Sequence, residues 1–369
     1  MRLARALRVP HVSERRSAAL AVDLATGDEV YAHNANLPLA PASNEKLAVT
    51  YTVLTRLGPG FQIQTHVEED GTQAGGVVDG HLYLVGAGDP TFSSADLAAL
   101  ARGVRAAGIT KVTGGVVGDE SAFDEKRTAP GWKPSFFLDE SPPLSALVVD
   151  RAQYRGSTNR WPALSATILF RDALRAAGVQ VPQHIALGRA PLDAIDVTSV
   201  DSAPLWTIVR FMDQQSDNFT AEMLLKLVSL IDVEQGSTAA GARLVTRTLT
   251  DAGVPMHGVR IVDGSGLSSL DRLTASAIVS ILRDLYRDPT LHPLATKSLP
   301  SAGISGTLKD RLHNIRGRVH AKTGTTDLAS ALSGYAAARY VFSILQNGSP
   351  VSDFWARVAQ DRFASALAR

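Results

Sequence analysis

The chain has 369 residues, 45% of them hydrophobic, with 37 lysines and arginines against 36 aspartates and glutamates, a formal net charge of +1. That length supports one large or two medium cores, and a near-neutral charge without a long basic run gives no reason to expect nucleic acid or an acidic membrane surface as partner. With no cysteine, disulfides and thiolate metal sites are excluded, and the nine histidines show no ligand spacing, so neither a metal nor another cofactor is expected.

Residues 1–16 read as a basic N-terminal tail (Arg2, Arg5, Arg8, Arg15, Arg16) without the apolar stretch of a secretory signal, and no window elsewhere is long and apolar enough for a transmembrane segment. Residues 18–33 predict a β-hairpin turning at Thr26-Gly27-Asp28. The chain then reaches Pro41-Ala-Ser-Asn-Glu-Lys46, where a serine stands three residues before a lysine at the start of an apolar-periodic run, Leu47, Tyr51, Leu54 and Leu57. A helix brings positions three apart to one face, so the Ser43 hydroxyl can meet the Lys46 amine as nucleophile and base. A serine in that place is most often only an N-cap. A capping box, however, wants Glu or Gln at the third helical position, whereas a lysine there faces the positive end of the helix dipole. To serve as a base near neutrality that lysine needs a pKa drop of about 3 units, roughly 4 kcal/mol, which burial and the dipole can supply.

Gly58-Pro59-Gly60 stops this helix, and residues 61–67 alternate as a strand. Residues 80–86, 95–107 and 112–117 then read as strand, helix and strand, a βαβ unit. Gly86-Ala-Gly88 lacks the third glycine of a dinucleotide fingerprint, since position 91 is threonine, and is read as a turn. Residues 119–144, rich in Pro, Gly and Asp, predict long loops that return to the first domain.

A helix over 161–177, a strand over 195–200 and a helix over 204–213 lead to Ser216-Asp217-Asn218. Further helices follow over 220–231, 241–252 and 274–286. The turn-rich Asp263-Gly-Ser-Gly-Leu-Ser268 lacks the spacing of a nucleophile elbow. Residues 318–325 alternate as a strand that places Lys322 opposite Val319 and Ala321. A hairpin from 331–335 and 340–345 and an amphipathic helix over 352–367 close the chain.

Three short motifs therefore stand in order, Ser43-x-x-Lys46, Ser216-Asp-Asn218 and Lys322-Thr-Gly324. Taken singly, Ser43 and Asn218 are helix caps and Lys322 an exposed strand lysine; joint occurrence in this order is far rarer than any one motif. Ser157-Thr158-Asn159 also fits Ser-x-Asn, but it lies in a loop run with Arg155, Gly156 and Arg160, so Ser216, in a tight connection between helices, is preferred.

On these motifs the chain resembles the serine–lysine acyltransferases of the penicillin-interacting superfamily. It is most similar to the low-molecular-mass class C penicillin-binding proteins, the D-alanyl-D-alanine carboxypeptidase/endopeptidases. Further support comes from Leu84-Val-Gly-Ala-Gly-Asp-Pro-Thr91, Gly118-Asp-Glu-Ser121, Asp263–Ser268 with Arg272-Leu-Thr274, Leu299-Pro, Gly306-Thr-Leu308 and Lys322-Thr-Gly-Thr325. The similarity runs from about Ala18 to the C-terminus. It departs in the missing signal and in an insert between Lys46 and Ser216 that is short for the class.

The resemblance implies an α+β, β-lactamase/transpeptidase-like fold, an antiparallel sheet with helices on both sides, formed by residues 17–65 and 159–369. Residues 66–158 would form an inserted smaller α/β lobe. It implies peptidoglycan stem peptides as substrates, β-lactams as inhibitors and an extracytoplasmic location. Ser43, Lys46 and Ser216 would be catalytic, and Asn218, Lys322, Thr323 and Gly324 would bind substrate. The backbone N–H groups of Ser43 and Thr325 would form the oxyanion hole. Two rivals stay open: a β-lactamase or esterase on the same fold, and a catalytically silent peptidoglycan-binding protein.

Overall fold

The structure is a computed structural model that describes residues 2–369. Its first sheet is organised by the strand Ser17–Asp23, whose small apolar residues are buried throughout. Ala18, Leu20 and Val22 enter one core and Ala19 and Ala21 another, because successive side chains leave a strand on opposite faces. A strand without a polar face is stable only where both faces are covered. Around it the order is Val319–Thr325, Ala329–Ala336, Tyr340–Asn347, Ser17–Asp23 and Glu29–His33, every pair antiparallel.

The terminal helix Asp353–Ala368 covers one face, packing Phe363 and Leu367 into the core that holds Leu332, Phe342 and Ile344. The beginning of the chain joins it. Arg2–Leu7 is helical and buries Ala6 and Leu7 in the same core, so the basic segment is a docked element here rather than a free tail. The other face carries the helices Lys46–Arg56, Leu205–Gln215, Asn218–Ser229, Thr238–Asp251 and Ala275–Arg287. Lys46–Arg56 is buried on every side from Lys46 to Leu54. Each fully buried Leu or Val there contributes about 1.5–3 kcal/mol, which anchors the turn just before it. This is the expected α+β arrangement of an antiparallel sheet between two helical layers.

The second lobe is larger than its expected limits. Its sheet runs in the order Ile185–Leu187, Gly115–Asp119, His81–Val85, Gln64–Glu69 and Ile195–Asp201. His81–Val85, the helix Ser94–Ala106 and Gly115–Asp119 form the βαβ unit, with the two strands parallel. Residues 159–201, assigned from sequence to the catalytic domain, supply this lobe with the helix Pro162–Ala176 and both edge strands. The reason is burial: Phe170 and Leu174 of that helix share a core with Leu100, Val104 and Val116. Among the described residues no helix is long and apolar enough to cross a membrane.

Candidate active site

Ala42–Glu45 forms a 3-10 turn that runs into the helix at Lys46, and neither helical start shows a side-chain cap bond. The Ser43 hydroxyl is therefore free of the capping role. The turn is pressed against the Lys322 strand: Asn44 Nδ2 donates to the Lys322 carbonyl at 3.2 Å. Gly324 permits this approach, since a Cβ there would stand 3.0 Å from both the Pro41 carbonyl oxygen and the Ser43 nitrogen. The glycine thus makes room for the serine turn itself.

Lys46 is fully buried, and its Nζ lies 2.6 Å from the Ser265 carbonyl oxygen, 2.9 Å from Asn218 Oδ1 and 3.1 Å from Ser43 Oγ. Carbonyl oxygens only accept, so two of these contacts each take an N–H. A neutral amine has two N–H bonds and one lone pair, which leaves the lone pair for the Ser43 hydroxyl. Burial draws the Lys46 pKa down to about 8, with the carboxylates of Asp263, Asp217, Glu222 and Asp213 opposing it in part.

Ser216 ends the helix Leu205–Gln215 in a left-handed conformation, φ 57° and ψ 39°, a place that favours glycine. A serine kept there costs strain and indicates a use for the side chain. Lys322 Nζ donates to Ser216 Oγ at 2.8 Å and to the Thr323 carbonyl at 2.9 Å. Since Oγ accepts from Nζ, its own hydrogen is free to be donated elsewhere. Lys322 is completely buried, and its pKa is held well below the usual lysine range by burial first and by the charge of Lys46 second. Its Nζ is thus turned to Ser216. Asp217, not Asn218, is the cap of the next helix, accepting from Thr220 N at 2.7 Å while Arg151 holds it with both Nη atoms. Asn218 also donates from Nδ2 to the Glu140 carbonyl at 3.1 Å.

Ser43, Ser216, Asn218, Thr323, Gly324 and Thr325 line one cleft of about 270 Å³, with Lys46 and Lys322 beneath it. All eight residues singled out from sequence meet here. Ser157 does not: it sits in a small ribbon, where its hydroxyl bonds to the Tyr154 carbonyl. The cleft also recruits Glu140, Leu267, Thr307, Arg311 and Arg357, for which the sequence reading assigned no role. Thr307 and Leu267 fall in segments quoted only for the resemblance, and the other three carry no motif at all.

Sequence reasoning also passed over Ser265, whose backbone carbonyl rather than side chain does the work. Two buried carboxyl groups shape its turn. Glu222 Oε1 accepts from the N–H groups of Gly264 and Ser265 at 2.9 and 2.8 Å. Asp263 accepts from Gly266 N at 2.7 Å, Ser268 N at 2.8 Å and Trp132 Nε1 at 2.8 Å. Burial, reinforced by the Asp263 charge, pushes Glu222 up to about 8 and Glu45 and Asp271 well above the carboxylate range.

This serine–lysine cleft defines a class of acyl-transferring enzymes, and comparison with known proteins gives the family. The D-Ala-D-Ala carboxypeptidase 3 (S13) family matches over residues 1–164 and 156–369, and the chain belongs to that family. It is 31% identical to the D-alanyl-D-alanine carboxypeptidase of Actinomadura sp. (strain R39), over 90% of this chain and 78% of that one. Penicillin-binding protein 4 of Haemophilus influenzae has the same fold, with a TM-score of 0.85 at 20% identity over 99% of this chain and 97% of that one. A predatory peptidoglycan endopeptidase from Bdellovibrio bacteriovorus superposes with a TM-score of 0.61 at 19% identity, over 95% of this chain and 90% of that one. The chain is a serine-type carboxypeptidase of the low-molecular-mass class C penicillin-binding group.

Proposed function

We propose that Ser43 is the nucleophile of a D-Ala-D-Ala peptidase acting on peptidoglycan stem peptides outside the cytoplasm, with Lys46 as its base. The observation that carries this reading is the set of three partners on Lys46 Nζ, two obligatory acceptors and one hydroxyl. Neutral Lys46 takes the Ser43 proton as Oγ attacks the carbonyl of the penultimate D-alanine. The Ser43 and Thr325 N–H groups meet the oxyanion, and Ser216, oriented by Lys322, passes a proton to the departing amine. Water then releases the acyl group. Asn218 and Thr323 hold the peptide from either side of the cleft, and the same arrangement serves a cross-linked peptide whose leaving group is a longer chain. β-Lactams enter as mimics that acylate Ser43. The test is release of D-alanine from an N-acylated stem pentapeptide. Wild type releases one equivalent, while Ser43→Ala releases none; release by that variant at more than about one-hundredth of the wild-type rate would overturn the assignment.

A further inference from the structure

With Lys322 committed to Ser216, a free carboxylate on the leaving side of the cleft needs another cation. The cleft offers two guanidinium groups, Arg311 and Arg357, and one carboxylate, Glu140, which lies against Asn218. Arg311 is held from several directions. Four residues before it, Thr307 brings its hydroxyl within 2.7 Å of the Thr323 hydroxyl, which moors the loop to the Lys322 strand. Behind it, Arg311 Nη2 donates to Asp361 Oδ1 at 2.7 Å and to Gln360 Oε1 at 3.3 Å. Gln360 is itself fixed on Ser330 and Gln346. The Arg311 side chain is 15% exposed, and among the described residues it donates only from Nη2, which leaves Nη1 to donate to a ligand. Arg357 differs: half exposed and paired with Asp353 at 3.0 Å, it is open to water and screened.

We propose that Arg311 is a specificity-determining residue that reads the free carboxylate of the leaving D-amino acid, with the Thr307 and Thr323 hydroxyls beside it and Arg357 as a weaker outer cation. The inference rests on the acyl-transfer reading above. A guanidinium presents donors in a fixed fork that matches a carboxylate, and one held by packing loses little freedom on binding. Asp361 on the far side orients the fork. The carboxylate then sits beside Thr323, one strand residue from Gly324, so the same contact that selects the free acid also sets the scissile carbonyl against Ser43.

The experiment compares an N-acylated D-Ala-D-Ala peptide as the free acid and as the C-terminal amide, measuring kcat/KM for each. Wild type, Arg311→Gln, Arg311→Lys and Arg357→Gln are assayed after titration of active sites with a fluorescent penicillin and a check of thermal unfolding. Wild type favours the acid by about ten- to a hundredfold, the scale of a charge-assisted hydrogen bond. Arg311→Gln brings the acid-to-amide ratio within about threefold of one, Arg311→Lys leaves it between the two, and Arg357→Gln changes it by less than about fivefold. The proposal is overturned if wild type treats the two substrates alike. It is equally overturned if Arg311→Gln lowers both by one factor, as loss of the Asp361 pairing alone would do, or if the ratio follows Arg357 instead. Should Arg311→Gln not fold, Arg311→Lys decides, an unchanged ratio there overturning the proposal. Failure of the acyl-transfer reading registers separately, as a wild-type protein that takes up no penicillin, and removes this proposal with it.

Discussion

At the scale of single residues the proposed chemistry turns on a lysine that must be neutral to work. A pKa of about 8 leaves roughly one Lys46 in eleven neutral at pH 7 and ten in eleven at pH 9. Because the neutral form is the base, acylation rises with pH through about 8 and levels off above it. A rate profile with benzylpenicillin from pH 6 to 10 checks the sign, and a profile that is flat or falls through pH 8 contradicts the base role. Lys46→Arg retains charge near neutral pH without a usable lone pair, so it is expected to lose at least two orders of magnitude in acylation while still unfolding cooperatively. Ser216→Ala is expected to slow acylation by one to three orders of magnitude and Ser157→Ala to leave it unchanged, since of the two only Ser216 has a buried lysine Nζ on its hydroxyl. Rates for the two variants in the reverse order would move the second motif. These eight residues were legible because their spacing is chemical. Glu140, Arg311 and Arg357 were not, because each reaches the cleft from a loop or helix whose position is set by packing far along the chain.

At the scale of elements, the site is a turn clamped between a strand and a second turn. Gly324 lets the strand approach the Ser43 turn, and Gly266, at φ +80°, lets the Ser265 turn approach it from the other side, where a Cβ would stand 1.9 Å from the Ala42 carbonyl oxygen. Gly324→Ala is expected to fold, because the neighbours can shift by a few tenths of an ångström, yet to acylate at least tenfold more slowly, because that shift moves the nucleophile. Melting temperature and second-order acylation rate separate the two effects; an unaltered rate would show that the strand does not set the position of Ser43. Most helices and strands were visible from period and punctuation, down to the strand of Lys322, whose ends fall within a residue of expectation. Both glycines stood in quoted motifs, but nothing local reveals that their missing side chains face another segment of backbone. The Ser265 turn was dismissed for lacking the nucleophile spacing, although its function is carried by a backbone carbonyl that any residue could present.

At the scale of the whole molecule, sequence placed the catalytic sheet and its two helical layers but drew the lobe too small. The alternating pattern of residues 64–69 and 195–201 marks both as strands, and only long-range pairing reveals that they are neighbours, 126 or more residues apart along the chain. The lobe also returns groups to the site: the Glu140 carbonyl accepts from Asn218, Arg151 braces Asp217, and Trp132 bonds to Asp263 beneath the Ser265 turn. A cleft assembled from so many distant segments can serve one nucleophile, and that is the central claim. Intact-mass spectrometry of the wild-type chain after incubation with benzylpenicillin tests it most directly. One covalent adduct is expected, mapped to Ser43 by peptide analysis and absent from Ser43→Ala; an adduct on any other residue, or turnover of the penicillin with no adduct accumulating, would contradict it.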